Sequence, residues 1–234
     1  MTKTIGIVGG MGPAATCDLM HKIIRLSPVE RDQDHARILV DCNSQVPDRT
    51  EAILHGGESP VPVLIGMARR LEDMGAQVLL IPCNTSHYFY DEICAPLHTP
   101  VLHMLRETAR SLQRLGVKTV GVLATDGTIQ TGIYETILSQ YGIRGLTPEG
   151  EDQAAVMSVI YDGIKAGRES MDTTAFCRCV ERLSARGAEL MVLGCTELPL
   201  AVELYHIHCR CIDPATELAK AAVRFALGRE PKSI

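Results

Sequence analysis

The chain has 234 residues, enough for one large domain or two small ones with a real apolar core. Hydrophobic residues make up 46% of it and there are 20 glycines, a balance that fits an ordinary globular α/β protein. A net charge of −5 gives no basic footprint, which argues against a nucleic-acid partner or a charged membrane surface. No stretch approaches the roughly 18 apolar residues of a membrane span. Residues 1–13 lack the apolar run and cleavage site of a secretory leader. Nine cysteines, an odd number, then point to reduced thiols and a cytoplasmic setting rather than a disulfide framework.

Short apolar runs alternate with longer amphipathic ones, the pattern of a parallel sheet covered by helices. In chain order the pattern predicts a strand over Thr4–Gly9, a helix over Ala14–Leu26 and a strand over Arg37–Asp41. A helix over Val61–Met74 leads to strands over Val78–Pro82 and Pro100–Leu102. After a helix over Met104–Leu115 come a strand over Thr119–Ala124, a helix over Ile133–Tyr141 and a strand over Ile143–Leu146. Helices over Gln153–Lys165 and Thr173–Ala185 precede strands over Leu190–Leu193 and Arg210–Ile212, and a helix over Ala215–Leu227 closes the order. Gly75, Gly116, Gly142 and Gly187 fall at helix ends, where a left-handed residue suits glycine.

The series repeats itself. Thr4-Ile-Gly-Ile-Val-Gly9 matches Thr119-Val-Gly-Val-Leu-Ala124, and Leu79-Leu-Ile-Pro-Cys83 matches Met191-Val-Leu-Gly-Cys195. Pro100-Val-Leu and Cys211-Ile-Asp form a third pair, each just before a helix. Three matches in one order indicate a duplicated unit. The expected architecture is two similar parallel-sheet halves, residues 1–102 with 208–234 and residues 103–207. A pseudo-dyad between them brings the two cysteine turns together across a cleft.

Ligands of open α/β sheets bind beyond the carboxyl ends of the strands. Four turns lie there: Gly9-Gly-Met-Gly-Pro13, Cys83-Asn-Thr85, Thr125-Asp-Gly127 and Cys195-Thr-Glu197. A helix is expected to begin at each. Its free N–H groups and dipole attract a carboxylate and lower the pKa of a nearby thiol. A single strand-end cysteine is ordinarily a small buried hydrophobe, and Cys17, Cys42, Cys94, Cys177 and Cys179 take that reading. Cys83 and Cys195 stand apart because they occupy equivalent places in the repeat, each followed by polar residues. Two thiols on opposite faces of a substrate suit inversion of a stereocentre, one removing a proton from carbon and the other delivering one. A single base tends to return the proton to the face it left.

Met11-Gly-Pro13 with Thr16, Cys83-Asn-Thr-x-His87 and Gly194-Cys-Thr-Glu197 together resemble the aspartate/glutamate racemase family over nearly the whole chain. The glutamate racemases carry Asp-Ser-Gly after the first strand and Gly-Cys-Thr-His at the second cysteine. Gly-Gly-Met-Gly and Glu197 at those places put this chain nearer the aspartate racemases. The resemblance implies a pyridoxal-independent, cofactor-free racemase of two flavodoxin-like halves, acting as a homodimer on a small amino acid. It implies Cys83 and Cys195 as the acid–base pair. The four strand-end turns supply the expected substrate contacts, Met11, Gly12, Pro13, Asn84, Thr85, Thr125, Thr196 and Glu197. Arg49 and Lys165 sit where aspartate racemases hold the side-chain carboxylate. On the residues alone, Arg49 and Lys165 read equally as surface charges, Thr85, Thr196 and Glu197 as helix caps, and His87 as a packing residue rather than one that tunes the thiol.

Other constellations compete. Gly10-x-Gly12-x-x-Ala15 with Asp41 mimics a dinucleotide fingerprint, but Pro13 intrudes and Asp41 lies too far along the chain. His206-Ile-His-Cys-Arg-Cys211 packs four metal-ligand types into six residues. On an extended segment its histidines and cysteines point to opposite faces, which disfavours a shared metal. Among functions, a hydantoin racemase or maleate isomerase keeps the fold with a different reaction, and a non-catalytic amino-acid sensor keeps the pocket without needing both thiols.

Overall fold

A computed structural model describes residues 2–232. The chain divides into two compact units. One runs to Glu107 and resumes at Ala215, and the other is Thr108–Pro214.

In the first unit the strands are β1 (Ile5–Gly9), β2 (Ile38–Cys42), β3 (Val78–Leu80) and β4 (Val101–Leu102), all parallel in the order β2-β1-β3-β4. Its helices are α1 (Pro13–Leu26), α2 (Arg49–Leu54), α3 (Val61–Asp73) and α4 (Tyr90–Cys94), with a 3₁₀ turn at Thr85–Phe89 before α4. The helix α5 (Met104–Arg114) carries the chain into the second unit. There β5 (Thr119–Leu123), β6 (Arg144–Leu146), β7 (Leu190–Leu193) and β8 (Cys211–Ile212) form a second parallel sheet in the order β6-β5-β7-β8. Its helices are α6 (Asp126–Gln130), α7 (Ile133–Gln140), α8 (Glu151–Ser158), α9 (Thr174–Ala185) and α10 (Glu197–Leu204), and α11 (Pro214–Leu227) returns to the first unit.

Both sheets share one strand order, and the repeat has a physical cause in their centres. The middle strands are apolar on both faces because helices cover both, so β1 is buried at every residue and β7 likewise. Each fully buried side chain such as Ile5 or Ile7 contributes about 1.5–3 kcal/mol by leaving water. Gly6 and Gly121 occupy matched repeat positions, and at each the space beside the Cα is already taken. A Cβ on Gly6 would lie 2.7 Å from the Leu79 side chain, and one on Gly121 would lie 2.4 Å from Met191 Sδ. In each unit the neighbouring strand's side chain fills the space that the missing Cβ leaves.

The strands and longer helices lie where the hydrophobic pattern predicts them, within about two residues, and the four helix-end glycines all take positive φ. Three differences matter. First, β8 pairs with β7 through Met191↔Cys211, so that segment belongs to the second sheet and the chain returns to the first unit at Ala215, not at residue 208. Second, the helix expected over Gln153–Lys165 starts earlier, as α8, and widens into a π-helical stretch at Val159–Lys165. There Ala166 N–H donates five residues back to the Tyr161 carbonyl at 3.1 Å. Third, the cysteines expected to be buried are not uniformly so. Cys17 on α1 and Cys42 at the end of the sheet-edge strand β2 are exposed, Cys94 and Cys177 are half-buried, and only Cys179 of that set is buried.

Candidate active site

Each unit carries its cysteine just beyond the strand next to its central one, and each is built in its own way. In the first unit, β1 ends in the Gly9–Pro13 turn that starts α1. Thr16 ties this turn down. Its hydroxyl accepts from Gly10 N–H at 2.8 Å and donates to the Gly12 carbonyl at 3.0 Å. Gly10 has φ 94°, and a Cβ there would fall 2.3 Å from the Asn43 backbone, so this turn admits only glycine at that place. Met11 is buried, Gly12 half-buried and Pro13 exposed. Cys83 follows β3 on the adjacent strand and is buried, as are Asn84 and Thr85. Ser86 Oγ meets Met11 Sδ at 3.3 Å, joining the two turns.

His87 settles the Cys83 turn. Its Nδ1 lies 2.8 Å from the Cys83 carbonyl and its Nε2 accepts from the Met104 N–H at 3.1 Å. The carbonyl can only accept, which fixes the proton on Nδ1. Burial lowers the His87 pKa from 6.5 to about 4, against the opposing pull of the Cys83 carbonyl. His87 is therefore a neutral brace between the cysteine turn and the start of α5, not a titrating partner of the thiol. The helix after Cys83 is a short 3₁₀ turn rather than the α-helix expected there. α2 packs against that turn, and its first residue, Arg49, is half-buried. Arg49 Nη1 donates to the Val46 and Pro47 carbonyls at 3.4 and 3.2 Å, and Asp48 caps the helix by accepting from Glu51 N–H at 2.9 Å.

In the second unit, β7 leads into Gly194-Cys195, beside the turn that follows β5. Cys195 is buried, and its thiol donates to Glu197 Oε2 at 3.0 Å. Thr196 is the residue before α10, yet its hydroxyl makes no cap bond and instead donates to the same Glu197 oxygen at 3.4 Å. Glu197 thus faces the thiol. Burial first, and the Glu197 carboxylate second, push the Cys195 thiol well above its ordinary value, while Lys165 pulls the other way. This reverses the lowering expected from a helix N-terminus. The π-helical stretch that ends at Lys165 packs against α10, and Lys165 Nζ lies 4.2 Å over the Tyr161 ring.

Thr125, buried at the end of β5, lies 3.2 Å from the Thr128 hydroxyl. Two residues missed in the sequence hold this region. Gln153 Nε2 donates to the Ala124 carbonyl at 3.0 Å and to Asp126 Oδ1 at 2.7 Å, fixing the Thr125 turn. Tyr134 is buried against the Cys195 turn, and a Cβ on Gly194 would lie 3.1 Å from its ring. Burial, then Asp213 and Cys195, raise the phenol well above its ordinary range. Helical periodicity marks Tyr134 only as a core position, and Gln153 carries no signal in the sequence at all.

The competing constellations find other uses. Asp41, the acidic residue of the dinucleotide-like pattern, forms a two-pronged pair with Arg70 at 3.1 and 2.8 Å. His206 and His208 are exposed while Cys209 and Cys211 are half-buried. Among the described residues, no group of three or more His, Cys, Asp and Glu side chains is arranged to hold a metal ion. Among the same residues, no helix is long and apolar enough to cross a membrane.

Similarity to known proteins follows the same elements. The model of the family described as Asp/Glu/Hydantoin racemase matches residues 8–222. The chain is 28% identical over 223 residues to the broad-specificity amino-acid racemase RacX of Bacillus subtilis, spanning 94% of this chain and 96% of that one. It is 25% identical over 210 residues to a glutamate racemase of Corynebacterium glutamicum, spanning 81% and 72% of the two chains. Among solved structures, the aspartate racemase of Picrophilus torridus superposes with a TM-score of 0.83 at 32% identity, over 98% of this chain and 96% of that one.

Proposed function

Because the chain belongs to the Asp/Glu/hydantoin racemase family, we propose that it inverts the α-carbon of an acidic amino acid, aspartate above all, with no cofactor and with Cys83 and Cys195 as its two bases. One observation carries the reading. In each unit a buried strand-end cysteine is followed by a helical turn, and against that turn packs an element bearing a cation, Arg49 on α2 and Lys165 on the π-helical stretch. Repetition of the whole arrangement, cation included, is what a substrate with a carboxylate to spare requires.

The chemistry assigned to the site needs one thiolate and one thiol, on opposite faces of the α-carbon. Cys195 starts as the acid, since burial and Glu197 hold its proton in place. Cys83 then removes the α-proton of one enantiomer while Cys195 protonates the other face. The reverse direction begins from the Cys195 thiolate. Glu197, 3.0 Å away, is placed to receive that proton, and the Lys165 charge favours the thiolate. The backbone N–H groups of the strand-end turns hold the α-carboxylate, and Asn84, Thr85, Thr125 and Thr196 complete the polar lining. Arg49 grips the side-chain carboxylate through parallel hydrogen bonds, and Lys165 adds a point charge.

The resemblance to a broad-specificity racemase favours a second, wider reading in which several amino acids share the site. Proton exchange at Cα in deuterium oxide, with no cofactor added, separates the readings. Deuterium entering aspartate far faster than alanine, serine or lysine supports the acidic assignment. Comparable rates across the set favour the wider one, and no exchange with any amino acid overturns racemisation altogether.

A further inference from the structure

His87 is held at both ring nitrogens, by the Cys83 carbonyl at 2.8 Å and the Met104 N–H at 3.1 Å. Both bonds lie in the plane of the imidazole, so they resist movement within that plane and leave the ring free to tilt out of it. Two further rings close off that freedom. Tyr90, three residues on, stacks nearly parallel to His87, with centroids 5.9 Å apart and an angle of 11° between the planes. The His103 ring lies 4.7 Å from His87 and 4.4 Å from Tyr90, tilted by 49° and 42°. The three rings form a closed triangle, in which no member tilts without displacing the other two. With six tyrosines, three phenylalanines and no tryptophan in 234 residues, a ring-rich core does not explain the cluster.

The two outer rings are themselves anchored. Tyr90 begins α4, and its hydroxyl donates to the Val101 carbonyl of β4 at 2.6 Å. The Arg106 guanidinium lies 5.8 Å over the same ring. His103 is buried just ahead of α5, and its Nδ1 accepts from the Arg106 N–H at 3.4 Å. The contacts therefore run from β4 and the first turn of α5, through Tyr90 and His103, to His87 and the carbonyl of Cys83. Every member belongs to the first unit. Cys195 is served differently, by Glu197 at the thiol itself.

We propose that Tyr90 and His103 are positioning residues for Cys83: their rings hold His87 in line with the Cys83 carbonyl and so fix the direction in which the thiol is presented. The inference rests on the two-thiol reading, and it makes the contribution of both rings one-sided. They govern proton transfer at the face that Cys83 serves and leave the face served by Cys195 unaffected. Acting through the backbone of Cys83, they bear on the rate of transfer rather than on substrate affinity.

Three substitutions test this. His103→Asn removes one ring and keeps a side-chain oxygen to cap α5. Tyr90→Leu removes the other ring, and Tyr90→Phe keeps that ring while losing only its tether to Val101. Each is combined with Cys195→Ser and, separately, with Cys83→Ser, and α-proton exchange of both aspartate enantiomers is followed in deuterium oxide. With Cys83 as the working thiol, His103→Asn and Tyr90→Leu are each expected to lower exchange at saturating aspartate about twofold to tenfold, the strength of one ring pair. KM is expected to stay unchanged, and Tyr90→Phe to retain more of the rate than Tyr90→Leu. With Cys195 as the working thiol, none of the three is expected to alter exchange. Equal losses in both backgrounds, a change confined to KM, or no loss in either background overturns the proposal.

Iodoacetamide labelling distinguishes failure of the proposal from failure of the two-thiol reading, since it needs no turnover. In the protein with both thiols intact, His103→Asn and Tyr90→Leu loosen the Cys83 turn and are expected to speed labelling of Cys83 by a similar factor, with Cys195 labelling unmoved. If the single-thiol variants exchange neither enantiomer, the two-thiol reading fails. The labelling then decides the positioning role alone, and an unmoved Cys83 rate overturns it.

Discussion

The Cys195 thiol donates to Glu197 Oε2 across 3.0 Å, with both side chains buried. The pair makes the protonated thiol the resting form, since burial and a facing carboxylate both oppose a second negative charge. Glu197→Gln keeps the shape and removes the charge, so the Cys195 pKa is expected to fall. The pH profile of iodoacetamide labelling at Cys195 then moves to lower pH, and racemisation drops about tenfold to a few hundredfold, the worth of a charged hydrogen bond of roughly 1.5–3 kcal/mol. An unmoved labelling profile contradicts the electrostatic role of Glu197.

The His87 brace predicts an acid limb in stability. Its folded-state pKa lies below the unfolded one, so the neutral ring's contribution is complete above about pH 6.5 and is lost as pH falls from there through about 4. The shift corresponds to about 3 kcal/mol. Urea unfolding at pH 7 and pH 4.5 measures this loss, and His87→Gln is expected to flatten it while lowering stability at pH 7. Because His87 holds the Cys83 carbonyl, the same variant is expected to lower kcat more than it raises KM. A wild-type pH dependence that survives in His87→Gln contradicts the assignment.

Specificity rests on the two cations. Arg49→Ala and Lys165→Ala are each expected to lose aspartate turnover by about tenfold to a few hundredfold, with little change in unfolding free energy. Turnover of alanine or serine is expected to change much less. Aspartate turnover at the parent rate in both variants contradicts the acidic-substrate assignment.

Cofactor independence is tested on the protein as purified. Activity is expected to persist after dialysis against a chelator, with no absorbance from a bound cofactor. Loss of activity on chelation and its return with zinc contradict a purely thiol-based reaction.

The strand pattern was legible because buried parallel strands write themselves as short apolar runs, and the matched Gly6 and Gly121 made the repeat visible. The two cysteine turns were legible as motifs. What each thiol feels was not. The sequence motif holds His87 and Glu197 equally, yet one faces a backbone carbonyl and the other the thiol itself. That difference depends on the 3₁₀ turn after Cys83 and the α-helix after Cys195, which periodicity over so few residues does not resolve. Gln153 and Tyr134 escaped because they reach the site from helices whose sequence records only which side faces the core.

The central claim is that each thiol serves one face of the α-carbon, and single-thiol variants test it most directly. Cys83→Ser and Cys195→Ser are each expected to abolish racemisation while folding normally. In deuterium oxide, each variant is expected to exchange the α-proton of only one enantiomer of aspartate, and the two variants opposite ones. Full racemisation surviving either substitution, or the same enantiomer exchanging in both variants, contradicts the two-thiol account.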